Sequence, residues 1–187
     1  MKPVQITVYT KEEFRNWLKK YHKKETKMAV IVHKRHTGKN APTHRELIEE
    51  AICYGWIDTT IKSIDEDTYL RNFSKRTASS RWSDNTLSYA KRLVTEGRMS
   101  EAGMHFYTMG KAKPTHDHGI PKNPDMPAEL KAALSKNLLA KKNFELFAPS
   151  MKRAVYRSIL RGKLPETRKK AAAKIVAIAS KGKRTIL

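Results

Sequence analysis

YGWIDTTIKSIDEDTYLRNFSKRTASSRWSDNTLSYAKRLVTEGRMSEAG, residues 54–103, is the stretch that decides the fold of this chain. Trp56 to Ile64 alternates loosely and is rich in β-branched residues, the pattern of a strand. Asp65-Glu66-Asp67 is a polar tip, and Thr68 to Phe73 reads as the returning strand of a hairpin. Lys75 to Arg81 is a polar, basic loop. Ser83-Asp84-Asn85 then opens a helix whose Leu87, Ala90, Leu93 and Val94 share one face and which Gly97 closes. Ser100 opens another, running to about Gly110.

Working outward, Thr10-Lys11-Glu12-Glu13 is a capping box before Phe14, Trp17, Leu18 and Tyr21 at helical spacing, which predicts a helix from about 11 to 22. Residues 27–34, KMAVIVHK, read as a strand buried on both faces. Thr43 to Glu46 is a second capping box, followed by an apolar stripe of Leu47, Ile48, Ala51 and Ile52 and a natural stop at Gly55. Residues 111–127 are rich in proline and poor in apolar side chains, a linker or extended loop. Beyond Pro127 the pattern is helical throughout, with segments near 128–136, 141–147, 150–161 and 164–180. The expected fold class is therefore α+β. A small antiparallel sheet with flanking helices fills residues 1–110, and an all-helical basic region fills 128–187.

The 187 residues suffice for a buried core without disulfides. The single cysteine, Cys53, lies in the apolar run AICYGW and reads as a small buried hydrophobe. No signal-peptide pattern and no membrane-spanning apolar run is present, so a cytoplasmic protein is expected. Charge is uneven. Lys and Arg number 39 against 18 Asp and Glu, a net charge of +21. Residues 151–187 hold twelve basic residues and one acidic, which is +11 of that total. Such an excess predicts attraction to polyanions.

Three groups of side chains merit weighing. The first is an anion site built from Arg76, Ser80, Arg81, Trp82, Ser83 and Asn85, with Trp56 and Asp58 nearby. A helix start offers unpaired N–H groups and the positive dipole end, and arginine forks fit carboxylate or phosphate. The competing reading is a capped helix whose loop is pinned by buried arginines. Asp58 is expected to pair with one of the loop arginines, because no second carboxylate, histidine or thiol lies at a sequence spacing that completes an acid–base pair. The second group, His33, His36, His116 and His118, is flanked by cations and makes a poor metal site, so no metal is expected. No glycine-rich phosphate loop is present and no cofactor is implied.

The third group is the basic C-terminus: Lys152, Arg153, Arg157, Arg161, Lys163, Arg168, Lys169, Lys170, Lys174, Lys181, Lys183 and Arg184. Cations outside an apolar inner stripe make a phosphate-tracking surface for nucleic acid or another polyanion. Tyr156 is the one aromatic residue in the segment, so base stacking has little support.

Several motifs carry a resemblance. They are E-A-x-C-x-G-W-I-D at Glu50 to Asp58, D-E-x-x-Y at Asp65 to Tyr69, and the set Phe73, Arg76, Ser80, Trp82, Ser83 and Asn85. E-G-R-M-x-x-A-G follows at Glu96 to Gly103, and E-T-R at Glu166. In these the chain resembles the YdeI/OmpD-associated (bacteriocin-protection) family, whose biochemical activity is unresolved. Ser74 departs from the proline usual in that family before the basic pair. The resemblance implies no catalytic residue. It implies a link to tolerance of bacteriocins or antimicrobial peptides, and with it a possible protein partner. The expected function is a non-enzymatic polyanion-binding protein. The alternative is a small-anion binder or enzyme using the Trp56, Asp58, Arg76 and Ser83 cluster.

Overall fold

A computed structural model describes residues 3–182. Lys183 and Arg184 therefore lie outside the described residues. The chain divides into two compact units, Met1–Thr115 and His116–Leu187.

In the N-terminal unit the elements run β1 (Val4–Thr7), α1 (Lys11–Tyr21), β2 (Lys27–His33), a 3-10 turn (Arg35–Thr37), α2 (His44–Cys53), β3 (Trp56–Ser63), β4 (Thr68–Lys75), α3 (Asp84–Thr95) and α4 (Glu101–Lys111). Both capping boxes form: Thr10 and Thr43 accept from the backbone N–H three residues on, and Glu13 and Glu46 reach back. The α+β class holds, but the sheet is mixed rather than antiparallel. Its order is β1-β2-β4-β3, with β1 parallel to β2 and the other pairs antiparallel. The parallel pair arises because α1 carries the chain back over the sheet before β2, the crossover a parallel pair requires. β1 is four residues long and largely exposed, too short to announce itself by alternation.

The hairpin strands β3 and β4 pair Trp56 with Lys75 and Asp58 with Phe73, then slip by one residue before Ile61 meets Arg71. This bulge re-aims side chains next to Asp58. One face of the sheet carries Met28, Val30, Val32, Trp56 and Phe73 into a core shared with Phe14 and Leu18 of α1, Leu47 and Ile52 of α2 and Leu93 of α3. Gly55, at φ +73°, stops α2 where expected. Gly103 explains the end of its motif. A Cβ there would fall 2.2 Å from the Cys53 carbonyl oxygen, so only glycine lets α4 seat on the end of α2. Ser100 completes that junction by donating its hydroxyl to the same oxygen.

Ion pairs tie the helices together. Glu50 of α2 is 1% exposed and is held by Arg15 of α1 at 2.7 Å and by Arg98. Its neighbour Glu49, also buried, meets Arg45 at 2.7 Å and Arg92 of α3 at 2.5 Å. Burial opposes ionisation of Glu49, but hydrogen bonds from Arg92 and Arg45 outweigh it and hold the carboxyl below its usual range.

The C-terminal unit holds α5 (Ala128–Ser135), α6 (Leu138–Glu145), α7 (Pro149–Leu160) and α8 (Pro165–Ser180). α6 begins earlier than its phenylalanines suggest because Asn137 caps it, accepting from the Ala140 N–H. Leu130, Leu134, Phe144, Phe147, Val155, Ile159 and Ile175 form a second core. Asp117 is pinned by Arg157 of α7 and by Arg161 just past its end, so this part of the proline-rich segment is anchored to the helices. Among the described residues no helix is long and apolar enough to cross a membrane.

Candidate functional site

The pleat of β4 and the bulge of β3 bring Arg71 to Asp58, Nη1 to Oδ2 at 3.0 Å. The partner of Asp58 is thus a strand arginine, not one from the loop that follows. The loop arginines are carried past the end of β4, whereas Arg71 lies two residues along the same face from Phe73, which pairs with Asp58. The arrangement also supplies a histidine that spacing along the chain could not reveal. His44, the first residue of α2, sets its Nε2 3.7 Å from Asp58 Oδ2. Burial, and then the positive charge of Arg71, lower the His44 pKa, with Asp58 partly offsetting them. At 3.7 Å the imidazole is beyond a hydrogen bond, and Oδ2 is already taken by Arg71. The trio is an electrostatic cluster rather than an assembled acid–base pair.

Arg76 is the most unusual side chain. It is 2% exposed, and among the described residues it makes no ion pair and its Nε has no hydrogen-bond acceptor. Nη1 donates to the Arg81 carbonyl at 3.3 Å, and the guanidinium lies 3.6 Å from the centre of the Trp82 ring. This cation–π contact supplies part of the stabilisation an ion pair otherwise gives. Burial pushes the Arg76 pKa down to about 10, against the opposing charge of Asp58. Trp82 itself is 3% exposed and Trp56 is fully buried. A Cβ on Gly110 would lie 2.0 Å from Trp82 Nε1, so α4 closes on that ring.

The loop hydroxyls serve the loop. Ser80 accepts from the Thr77 N–H, Ser79 contacts the Thr77 hydroxyl, and Ser83 caps α3 in a reciprocal pair with Thr86. Arg81 and Asn85 are exposed. The eight residues proposed from sequence therefore divide: Trp56, Arg76 and Trp82 belong to the packed interior, Asp58 to the Arg71 and His44 cluster, and the other four to the α3 cap, its loop and the surface.

The basic C-terminal residues divide too. Arg157 and Arg161 converge on Asp117, whose side chain is 8% exposed. Hydrogen bonds from Arg161 and then Arg157 hold that carboxyl far below the usual range, against the cost of its burial. Lys152 donates to the Glu145 carbonyl, Arg168 to the Gly162 carbonyl, and Lys169 to Glu166. Arg153, Lys163, Lys170, Lys174 and Lys181 are exposed and have no ionic or hydrogen-bonded partner among the described residues. On α8 the spacing of Lys170 and Lys174, continued to Lys181 just past its end, places the three within about 40° of one another, over about 17 Å.

Cys53 is fully buried, and burial pushes its thiol pKa up, the opposite of what a nucleophile needs. Among the described residues no three His, Cys, Asp or Glu side chains gather into a metal-binding group.

Residues 6–106 match the family model of a domain of unknown function, DUF8412, and residues 123–182 match the model described as bacteriocin-protection, YdeI or OmpD-associated. The motifs from Glu50 to Gly103 fall in the first match and Glu166 to Arg168 in the second. No curated protein and no solved structure matches the chain. The chain thus belongs to the DUF8412 family over its α+β unit and carries a YdeI or OmpD-associated, bacteriocin-protection domain in its helical C-terminal unit.

Proposed function

We propose that the C-terminal unit binds a polyanion through its phosphate groups, with nucleic acid as the polyanion. The carrying observation is the row of Lys170, Lys174 and Lys181, exposed and without an ionic partner among the described residues. Beside them lie Ala173, Ala177 and the half-buried Ile178, and one turn before Lys170 lie Thr167 and Glu166, the latter already paired with Lys169. Cations on a face with no aromatic and no fully exposed large apolar side chain suit a charged backbone rather than stacked bases, and they do not suit insertion into lipid. Binding is therefore expected to be independent of sequence.

A second reading has one specific observation behind it. α6 and its cap expose Leu138, Leu139 and Leu146 by 78%, 59% and 60%, with Lys141 and Lys142 beside them. An amphipathic surface of that composition suits an anionic bilayer.

The experiment is binding of the full chain to duplex DNA, to RNA and to anionic vesicles over a range of salt, beside the variant K170Q/K174Q/K181Q. Affinity for DNA or RNA should fall steeply with salt. The triple variant should flatten the log–log slope by about 3 at most. Salt-insensitive binding, or an unchanged slope in the variant, sinks the nucleic-acid reading. Vesicle binding lost on L138N/L139N, with no binding to DNA or RNA, replaces it with the lipid reading.

A further inference from the structure

After β2 the chain turns through Arg35–Thr37, exposes Gly38, Lys39 and Asn40, and buries Pro42 before the Thr43 cap of α2. Between this segment, the end of β2 and Tyr69 of β4 lies an open cavity of about 690 Å³. That is within the range of small-molecule sites. Its lining includes His33, Lys34, Arg35, Lys39, His44 and Tyr69, and contains no aspartate or glutamate. Lys34 is fixed, donating to the Ser63 hydroxyl and the Asp65 carbonyl. Arg35 and Lys39 are exposed and have no ionic partner among the described residues.

Two features make the cavity electropositive. The first is this set of cations. The second is the start of α2, where the capping box satisfies the N–H groups of Thr43 and Glu46 and leaves those of His44 and Arg45 without a partner among the described residues. Behind His44 stands Arg71, 4% exposed and paired with Asp58, so that pair adds little net charge to the cavity.

The nearby acids are already engaged: Asp58 by Arg71, Glu46 by Lys11 at 3.5 Å and by its own cap, and Asp67 by His36 at 3.0 Å. A tetrahedral oxyanion matches this set, because it accepts from two backbone N–H groups and from arginine and lysine at once. Tyr69 is the one Tyr, Phe or Trp side chain in the lining and offers a surface for the rest of a ligand.

We propose that this cavity binds a small phosphorylated molecule, its phosphoryl group held at the start of α2 by Arg35, Lys39 and the backbone of His44 and Arg45. The site lies wholly in the N-terminal unit and does not depend on the polyanion reading of the C-terminal one.

The test is an amide-resolved NMR titration of the full chain with inorganic phosphate, with adenosine monophosphate and with chloride at matched ionic strength. Phosphate and the nucleotide should shift the His44 and Arg45 amides saturably, and chloride should not. The nucleotide binding more tightly than phosphate identifies a phosphorylated small molecule as the ligand class. Equal affinity narrows the ligand to phosphate itself and overturns the larger ligand. R35Q/K39Q should weaken binding by about tenfold or more, as the loss of two charge-assisted contacts implies. These side chains are exposed, and an unchanged melting temperature will show that the variant folds. The proposal is overturned if those amides do not saturate, if chloride reproduces the shifts, or if R35Q/K39Q titrates like the parent. K170Q/K174Q/K181Q should bind phosphate unchanged; saturable shifts confined to residues 152–182 also overturn it.

Discussion

The two units handle an excess of positive charge in opposite ways. In the N-terminal unit arginines are built inward: Arg15, Arg45, Arg92 and Arg98 surround the buried Glu49 and Glu50, and Arg71 meets Asp58. Arg76 goes further and is buried against an aromatic ring with no carboxylate in contact. In the C-terminal unit one buried acid, Asp117, gathers two arginines, and five other candidate cations stay at the surface without ionic partners among the described residues. Buried arginines are architecture in the first unit, which leaves Arg35 and Lys39 exposed at its cavity, whereas the second unit keeps most of its positive charge as an available surface. The same residue types thus say little about function until their partners are known. Arg76 in KRTASSRWS and Arg157 in α7 look alike on paper, yet Arg76 is buried against Trp82 and Arg157 is held by Asp117, so neither is free to serve as a phosphate contact.

Breaking the inward arrangement should have the largest effect. Glu50→Ala leaves Arg15 and Arg98 without their shared carboxylate and opens a void in the core. A loss of about 3 kcal/mol is expected, somewhat reduced because both arginines reach solvent. All three tryptophans lie in the N-terminal unit, so tryptophan fluorescence during urea unfolding reports this loss directly. An unchanged fluorescence midpoint would show that the ion pairs contribute nothing net.

Asp117→Asn tests the other unit. It should cost about 2 kcal/mol there through weakened charge-assisted bonds. Fluorescence should be left in place and the helical signal of circular dichroism should move. It also releases Arg157 and Arg161, so affinity for DNA should rise as stability falls; a fall in both would contradict the division of labour. The sign with pH follows from the depressed carboxyl pKa. The contribution of Asp117 is complete above its unfolded pKa near 4 and is lost as pH falls below that toward the folded value. The stability gap between parent and variant should therefore be constant near neutrality and narrow in strong acid.

The smallest effect should come from Arg76→Met. Below a pH of about 10 the buried guanidinium carries a desolvation cost that the Trp82 contact offsets only in part. An apolar side chain of similar length should change stability by about 1 kcal/mol or less, in either direction. A loss several times larger would mean that Arg76 has a partner the isolated chain does not show.

Much of the fold was legible. Capping boxes at Thr10 and Thr43, the acidic tip at Asp65 and the serine at position 83 are local devices, and each acts where the sequence puts it. β1 was not legible, since a four-residue edge strand owes its existence to β2 beside it. The start of α6 was missed because Asn137 caps it ahead of the apolar residues that mark its core face. The site was less readable still. Pairing Asp58 with Arg71 requires knowing a bulge, and bringing His44 to them requires knowing how α2 lies on the sheet.

By itself the sequence determined where helices start and stop, which residues are apolar enough to form each core, and where net positive charge accumulates. These depend on backbone chemistry over a few residues and on summed charge. Only the tertiary structure decided which cations are spent on buried acids, which stand exposed along α8, and that a cavity of cationic side chains opens at the head of α2. Those outcomes depend on contacts between residues tens of positions apart, and neither the spacing nor the count of charges along a chain encodes them.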